Sequence, residues 1–204
     1  MQAVETIMRT GPVIPVLVIQ DVAHARPVAE ALVAGGIRVL EVTLRTSCAI
    51  DVIREMSAVD GAIVGAGTVL NEDDLDRAVD AGAQFIVSPG LTKGIARAAA
   101  DTEVPLLPGV ANASDIMRGL DLGLNRFKFF PAEASGGLAA LKALSAPFGD
   151  VRFCPTGGIT EATAPQWLAH PSVLCCGGSW LVGPGVPDTA AIKARAQAAS
   201  ALRS

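Results

Sequence analysis

The residues best able to do carbonyl chemistry in this chain of 204 residues are one lysine, one glutamate and one arginine that interrupt otherwise apolar runs. There are four lysines. Lys93, Lys142 and Lys193 fall on the polar positions of helical stretches, whereas Lys128 sits inside Arg126-Phe127-Lys128-Phe129-Phe130-Pro131. Desolvation favours the neutral amine, the form that attacks a carbonyl carbon and carries a Schiff base. A lysine at a strand end can equally snorkel and leave its ammonium in water, so both roles stay open.

The acids follow the same pattern. Nineteen of the twenty Asp and Glu lie in stretches read as turns, caps or helices, and Glu41 alone is embedded in an apolar run, Val39-Leu40-Glu41-Val42-Thr43-Leu44. Burial disfavours an ionised carboxyl, which suits one facing the lysine to shuttle protons. A structural ion pair between strands would place the same residue there. Arg45 closes this run, and a guanidinium at a strand end fits a carboxylate ligand in bidentate geometry. Glu133, in Pro131-Ala132-Glu133, competes for the acid role, but its place after a proline points to capping or fixing a loop.

Elements able to position these residues are read from hydrophobic period. Strand-like runs at 13–19, 39–44, 63–67, 85–87, 106–109, 127–130, 151–155 and 173–176 alternate with helical stretches at 23–34, 49–56, 72–81, 93–100, 113–122, 138–144, 162–168 and 189–201. Eight such units average about 25 residues each, the compact end for a (β/α)8 barrel, whose sites lie at the C-terminal ends of the strands. An open doubly wound sheet shares the local alternation. The fold expected is the (β/α)8 TIM barrel with a short N-terminal helix, as one domain over 1–204.

Composition agrees. Half the residues are hydrophobic, but only 4% are aromatic and none is Tyr, so the core is built of Val, Ile, Leu and Ala, as buried parallel strands require. A net charge of −4 argues against a nucleic-acid surface. The apolar run at 13–19 is broken by Pro15 and is far short of the ~20 residues of a membrane span. The segment before it, with Glu5 and Arg9, does not read as a signal peptide, so no membrane role and a cytoplasmic location are expected. Cys48, Cys154, Cys175 and Cys176 show no CxxC spacing and read as reduced, buried thiols. His24 and His170, the two histidines, fall on helical or turn positions, so neither a histidine triad nor a histidine metal site is expected; the enzyme reads as free of metal and cofactor.

Glycine adds a third signal. Pro155-Thr156-Gly157-Gly158-Ile159 and Gly177-Gly178-Ser179-Trp180 give the last two strand-to-helix turns a Gly pair each. Barrels bind phosphate there through bare backbone N–H groups at a helix N-terminus, although tight packing turns use the same residue. Gly65-Ala66-Gly67 invites a dinucleotide reading, but Leu70 stands where the third glycine belongs, and no acid marks the end of the next strand. Thr68 reads instead as a hydroxyl donor at a strand end.

Glu41-Val42-Thr43-Leu44-Arg45-Thr46, Gly65-Ala66-Gly67-Thr68-Val69, Ser88-Pro89-Gly90, Phe127-Lys128-Phe129-Phe130-Pro131-Ala132-Glu133, Phe153-Cys154-Pro155-Thr156-Gly157-Gly158-Ile159 and Gly177-Gly178-Ser179-Trp180 occur in an order that, over nearly the whole chain, resembles the bacterial 2-keto-3-deoxy-6-phosphogluconate aldolases. The resemblance implies a metal-independent class I aldolase of the Entner–Doudoroff route, a cytoplasmic homotrimer on a (β/α)8 barrel. It implies cleavage of the phosphorylated keto acid to pyruvate and glyceraldehyde 3-phosphate, with related activity on 4-hydroxy-2-oxoglutarate giving pyruvate and glyoxylate. Position by position, it implies Lys128 as the Schiff-base lysine and Glu41 as the general acid/base. Arg45 and Thr68 then lie near the pyruvate carboxylate, Pro89 and Phe130 line the pocket, and Thr156, Gly157, Gly158, Gly178 and Ser179 take the hydroxyl and phosphate end.

One departure is visible: Pro108-Gly109-Val110-Ala111-Asn112 has Asn112 where the family pattern expects Thr or Ser. Asn caps a helix as well as either, so the chemistry is untouched while the choice among related substrates is blurred. Alternatives are a sibling aldolase for another 2-keto-3-deoxy acid such as the 6-phosphogalactonate epimer, an isomerase barrel without a Schiff base, and a non-catalytic barrel in which Lys128 and Glu41 are only an ion pair.

Overall fold

Runs of Val, Ile and Leu pair in parallel around a ring in the computed structural model of the chain, which describes residues 3–202. The strands are β1 (Val13–Leu17), β2 (Val39–Thr43), β3 (Ile63–Gly67), β4 (Ile86–Ser88), β5 (Leu106–Val110), β6 (Arg126–Phe129), β7 (Arg152–Pro155) and β8 (Cys176–Gly178). They lie in the order β7-β6-β5-β4-β3-β2-β1-β8. Parallel bridges from Phe153 to Val173 and from Thr156 to Gly177 draw the two ends together. The sheet is thereby the nearly closed barrel expected from the alternation, not an open doubly wound sheet.

Helices cover its outside: α2 (Ala25–Ala34), α3 (Ala49–Ser57), α4 (Glu72–Asp80), α5 (Lys93–Asp101), α6 (Ala113–Asp121), α7 (Gly137–Ser145), α8 (Ala164–Leu168) and α9 (Thr189–Ser200), while α1 (Ala3–Arg9) precedes the first strand. Asn71, Thr92, Asn112 and Asp188 each accept a backbone N–H from the residue three positions on, satisfying a donor that the first helical turn leaves free. Asn112 thus caps α6, as expected of an Asn standing where Thr or Ser would. Among the described residues no helix is long and apolar enough to cross a membrane.

Several expected boundaries shift, two of them with a clear cause. The run at 173–176 is not the last strand. Val173 and Leu174 pair only toward β7, and β8 begins at Cys176, whose N–H donates to the Pro12 carbonyl (2.9 Å). Gly177 and Gly178 therefore belong to a strand rather than to a turn. Equally, α8 starts at Ala164 and not at 162, because Thr160 and Thr163 exchange side-chain hydrogen bonds in a separate turn before it.

Alternation along the strands splits the interior in two. One set of side chains packs outward against the helices. The other points into the barrel, where Ile14, Val39, Phe85, Val87, Leu107, Cys154 and Cys175 form a separate cluster that includes Val4 and Met8 of α1. Helix α1 therefore closes the N-terminal mouth of the barrel. Glu5 ties it there: Oε1 accepts from Arg9 Nε (2.7 Å), and Oε2 accepts from Arg126 Nε and Nη2 (3.1 and 2.7 Å) at the start of β6. The Arg9 and Arg126 guanidinium groups hold the Glu5 carboxyl below its usual value near 4.5.

A carboxyl with a depressed folded-state pKa contributes stability above its unfolded value and loses it as pH falls through the folded one. Glu5→Gln is accordingly expected to melt below the wild type at neutral pH, with the gap closing below pH 4.5. Thermal melts across acid pH test this; a gap that persists undiminished to about pH 3 would contradict the assignment.

Candidate active site

Lys128 on β6 pairs in register with Gly109 on β5 and Cys154 on β7, and Glu41 on β2 pairs with Val16 on β1 and Gly65 on β3. Both side chains point into the barrel above the apolar cluster and meet across it: Lys128 Nζ donates to Glu41 Oε1 at 3.0 Å, with 6% and 3% of each residue exposed. Burying two charges is tolerable only when they are paired. The Lys128 ammonium also lies 5.3 Å from the centre of the Phe130 ring, on the side that a cation favours.

Missing side chains make the room. A Cβ on Gly67 would overlap the Glu41 carboxylate, one on Gly65 the Phe85 ring, one on Gly109 the Pro89 carbonyl, and one on Gly177 the Thr156 hydroxyl. Above the pair this leaves a cavity of about 550 Å³ opening at the C-terminal ends of the strands. Its wall contains Lys128 and every substrate residue expected from sequence: Arg45, Thr68, Pro89, Phe130, Thr156, Gly157, Gly158, Gly178 and Ser179. Glu41 is outside the wall and reaches the cavity through Lys128 Nζ.

Sequence reasoning missed Val16, Val18, Ile159 and Gly177, which also line it. Val16 was within reach of the period-2 pattern, lying two residues beyond inward-facing Ile14.

The polar groups sit at the rim. Arg45 is exposed and makes no ion pair among the described residues, so its guanidinium faces no competing carboxylate. Thr68 has φ of +60°, a region that β-branched residues rarely adopt, and such strain collects at functional sites. Gly157 and Gly158 turn with φ of +104° and +82°. The expected helix N-terminus is absent from this end of the cavity: α8 starts six residues after Gly158, and α9 eleven after Gly178. An anion here would meet turn and strand backbone instead.

Glu133 does not face Lys128; its carboxylate accepts from Trp167 Nε1 (3.1 Å), in line with a loop-fixing role. Cys175 and Cys176 are poor nucleophiles. A hydrogen bond with Cys154, followed by burial, pushes the Cys175 thiol up, and burial pushes up that of Cys176. His24 lines a second cavity of about 520 Å³ that shares Val16, Val18 and Ser179 with the first. His170 Nδ1 accepts from the Ser172 N–H, away from both.

Residues 4–195 match the family model described as KDPG and KHG aldolase. The KHG/KDPG aldolase of Escherichia coli strain K12 is 58% identical over 179 residues, 87% of this chain and 84% of that protein. In structure, the chain is similar to the 2-keto-3-deoxy-6-phosphogluconate aldolase of Zymomonas mobilis ZM4 solved with 3-phosphoglycerate, at TM-score 0.98 and 60% identity, covering 100% of this chain and 97% of that one. It is similar also to the KDPG aldolase of Legionella pneumophila with pyruvate captured as a covalent carbinolamine, at TM-score 0.91 and 44% identity, covering 97% and 98%.

The glycine-for-space argument is testable. Gly67→Ala forces a methyl into the Glu41 carboxylate, and overpacking of this kind costs about 1–3 kcal/mol. A fall in Tm of several degrees is expected, while Gly11→Ala, with nothing within 4 Å, leaves Tm in place. An unchanged Gly67→Ala melt would mean that Glu41 is not confined.

Proposed function

The chain belongs to the KDPG and KHG aldolase family, and on that premise we propose that Lys128 is the Schiff-base lysine and Glu41 the general acid/base of a class I aldolase. The enzyme cleaves 2-keto-3-deoxy-6-phosphogluconate to pyruvate and glyceraldehyde 3-phosphate, as in the Entner–Doudoroff route, and 4-hydroxy-2-oxoglutarate to pyruvate and glyoxylate. The observation that carries this reading is the buried 3.0 Å contact between Lys128 Nζ and Glu41 Oε1 at the floor of the cavity.

Transfer of a proton from the ammonium to Glu41 frees the amine, which adds to the C2 keto carbon. Glu41 then protonates the carbinolamine oxygen, water leaves, and an iminium forms. The same carboxylate takes the proton from the C4 hydroxyl; the C3–C4 bond breaks as C4 becomes the aldehyde carbonyl, and its electron pair is received by the iminium as an enamine. Protonation at C3 and hydrolysis release pyruvate and restore Lys128. No external electron sink is needed.

Arg45 and Thr68 hold the substrate carboxylate, Pro89 and Phe130 flank the reacting carbons, and Thr156, Gly157, Gly158, Gly178 and Ser179 receive the hydroxyl and phosphate end. Such a division fits a protein of net charge −4, because attraction of an anionic substrate must come from groups inside the cavity. The active form is a homotrimer in the cytoplasm. Exposed Met117 and Leu120, three residues apart on α6, support a further protomer covering that face.

Incubation with pyruvate and borohydride, followed by peptide mass mapping, is expected to find the reduced adduct on Lys128; its absence there would overturn the reading. Glu41→Gln is expected to melt below the wild type, because it leaves Lys128 without its buried partner, and, assayed where melts show it folded, to lower kcat by about 10²–10⁴, the usual contribution of a general acid/base. Replacing Met117 and Leu120 by Asp is expected to reduce the particle mass measured by native mass spectrometry from three chains to one.

A further inference from the structure

Glu133 lies outside the reacting pair, yet two separate contacts tie it to the turn after β7. The Glu133 N–H donates to the Gly157 carbonyl (3.1 Å) and the Ala132 N–H to the Thr156 carbonyl (2.8 Å), extending the β6–β7 ladder beyond both strand ends. The Cβ and Cγ of Glu133 fill the space a side chain at Gly158 would need, 2.7 and 2.6 Å from an ideal Cβ there. The carboxylate is held from the other side, where Oε1 accepts from the indole N–H of Trp167 at 3.1 Å. Trp167 is 2% exposed on α8, its ring tilted against Phe129 with centroids 6.4 Å apart, so the anchor is rigid.

We propose that Glu133 is a positioning residue for the anionic end of the substrate: pinned by Trp167, its stem supports Gly158 from beneath and aims the backbone N–H groups of Gly157 and Gly158 into the cavity. The proposal rests on reading that turn as the phosphate end of the site. Lys128 and Glu41 are held by other means, namely the strand ladders on either side of each. Removing the support therefore loosens one end of the cavity and spares the other. An interaction made equally by bound substrate and transition state affects KM rather than kcat.

Three substitution-sensitive readouts separate this role from a merely structural one. Glu133→Ala is expected to raise KM for the phosphorylated six-carbon acid about tenfold with kcat within about twofold, and to weaken competitive inhibition by inorganic phosphate by a similar factor. Exchange of solvent deuterium into the pyruvate methyl group, which needs only the lysine end, is expected to stay within about twofold. Glu133→Gln keeps the stem and an oxygen for the Trp167 N–H, and is expected to return KM to within about twofold of wild type. An unmoved KM in Glu133→Ala, deuterium exchange that falls in parallel, or a Glu133→Gln variant as impaired as Glu133→Ala would each overturn the proposal. A wild-type enzyme that exchanges no deuterium would instead defeat the Schiff-base reading, and the positioning role with it.

Discussion

Two opposite charges buried inside a parallel barrel set the terms for everything around them. Desolvation costs several kcal/mol per ion even after relaxation, and the attraction between Lys128 and Glu41 offsets it only at close range in a rigid frame. The strand ladders supply the rigidity. Glycines at 65, 67, 109 and 177 supply the space, because side chains at those positions would collide with Phe85, Glu41, Pro89 and Thr156. An ordinary barrel fills its interior with layers of branched side chains. Here the upper layers are thinned to glycine and two ions, and the apolar layer beneath, from Ile14 to Cys175, is sealed by α1.

That arrangement divides the labour between the two mouths. At the N-terminal mouth, Glu5, Arg9 and Arg126 form an ion-pair cluster whose role is to hold a helix in place. At the C-terminal mouth, Arg45 has no carboxylate partner among the described residues and Gly157 and Gly158 present bare backbone. A guanidinium paired at one end and unpaired at the other is the electrostatic difference between the two faces.

Much of this was legible in the amino-acid sequence for a specific reason: where strands are apolar on both faces, an ionisable residue inside one is conspicuous. Lys128 and Glu41 were found that way, and motif order brought the rim residues with them. That the two face each other followed only from the barrel reading, because 87 residues separate them and barrel closure alone brings β2 opposite β6; the 3.0 Å hydrogen bond itself was not legible. Glu5 was hidden among ordinary helical acids; its partner Arg126 lies 121 residues away. The start of β8 was misplaced because Cys-Cys-Gly-Gly carries no β-branched residue to mark a strand, whereas Val173 and Leu174 make an apolar, strand-like pair and yet bond on one side only. Val18 and Ile159 belong to loops whose course no local pattern reports.

The joining of β8 to both β1 and β7 has a temporal meaning. Gly177, Gly178 and Ser179 complete the cavity wall only when β8 pairs with β1, from Val13–Cys176 to Pro15–Gly178, across more than three quarters of the chain. Such a contact is among the costliest in loop entropy and the last that a chain emerging from the ribosome can make. Lys128 is synthesised well before its pocket has walls. Assembly of the reactive centre is therefore coupled to completion of the chain, and a fragment ending before residue 176 has a lysine but no site.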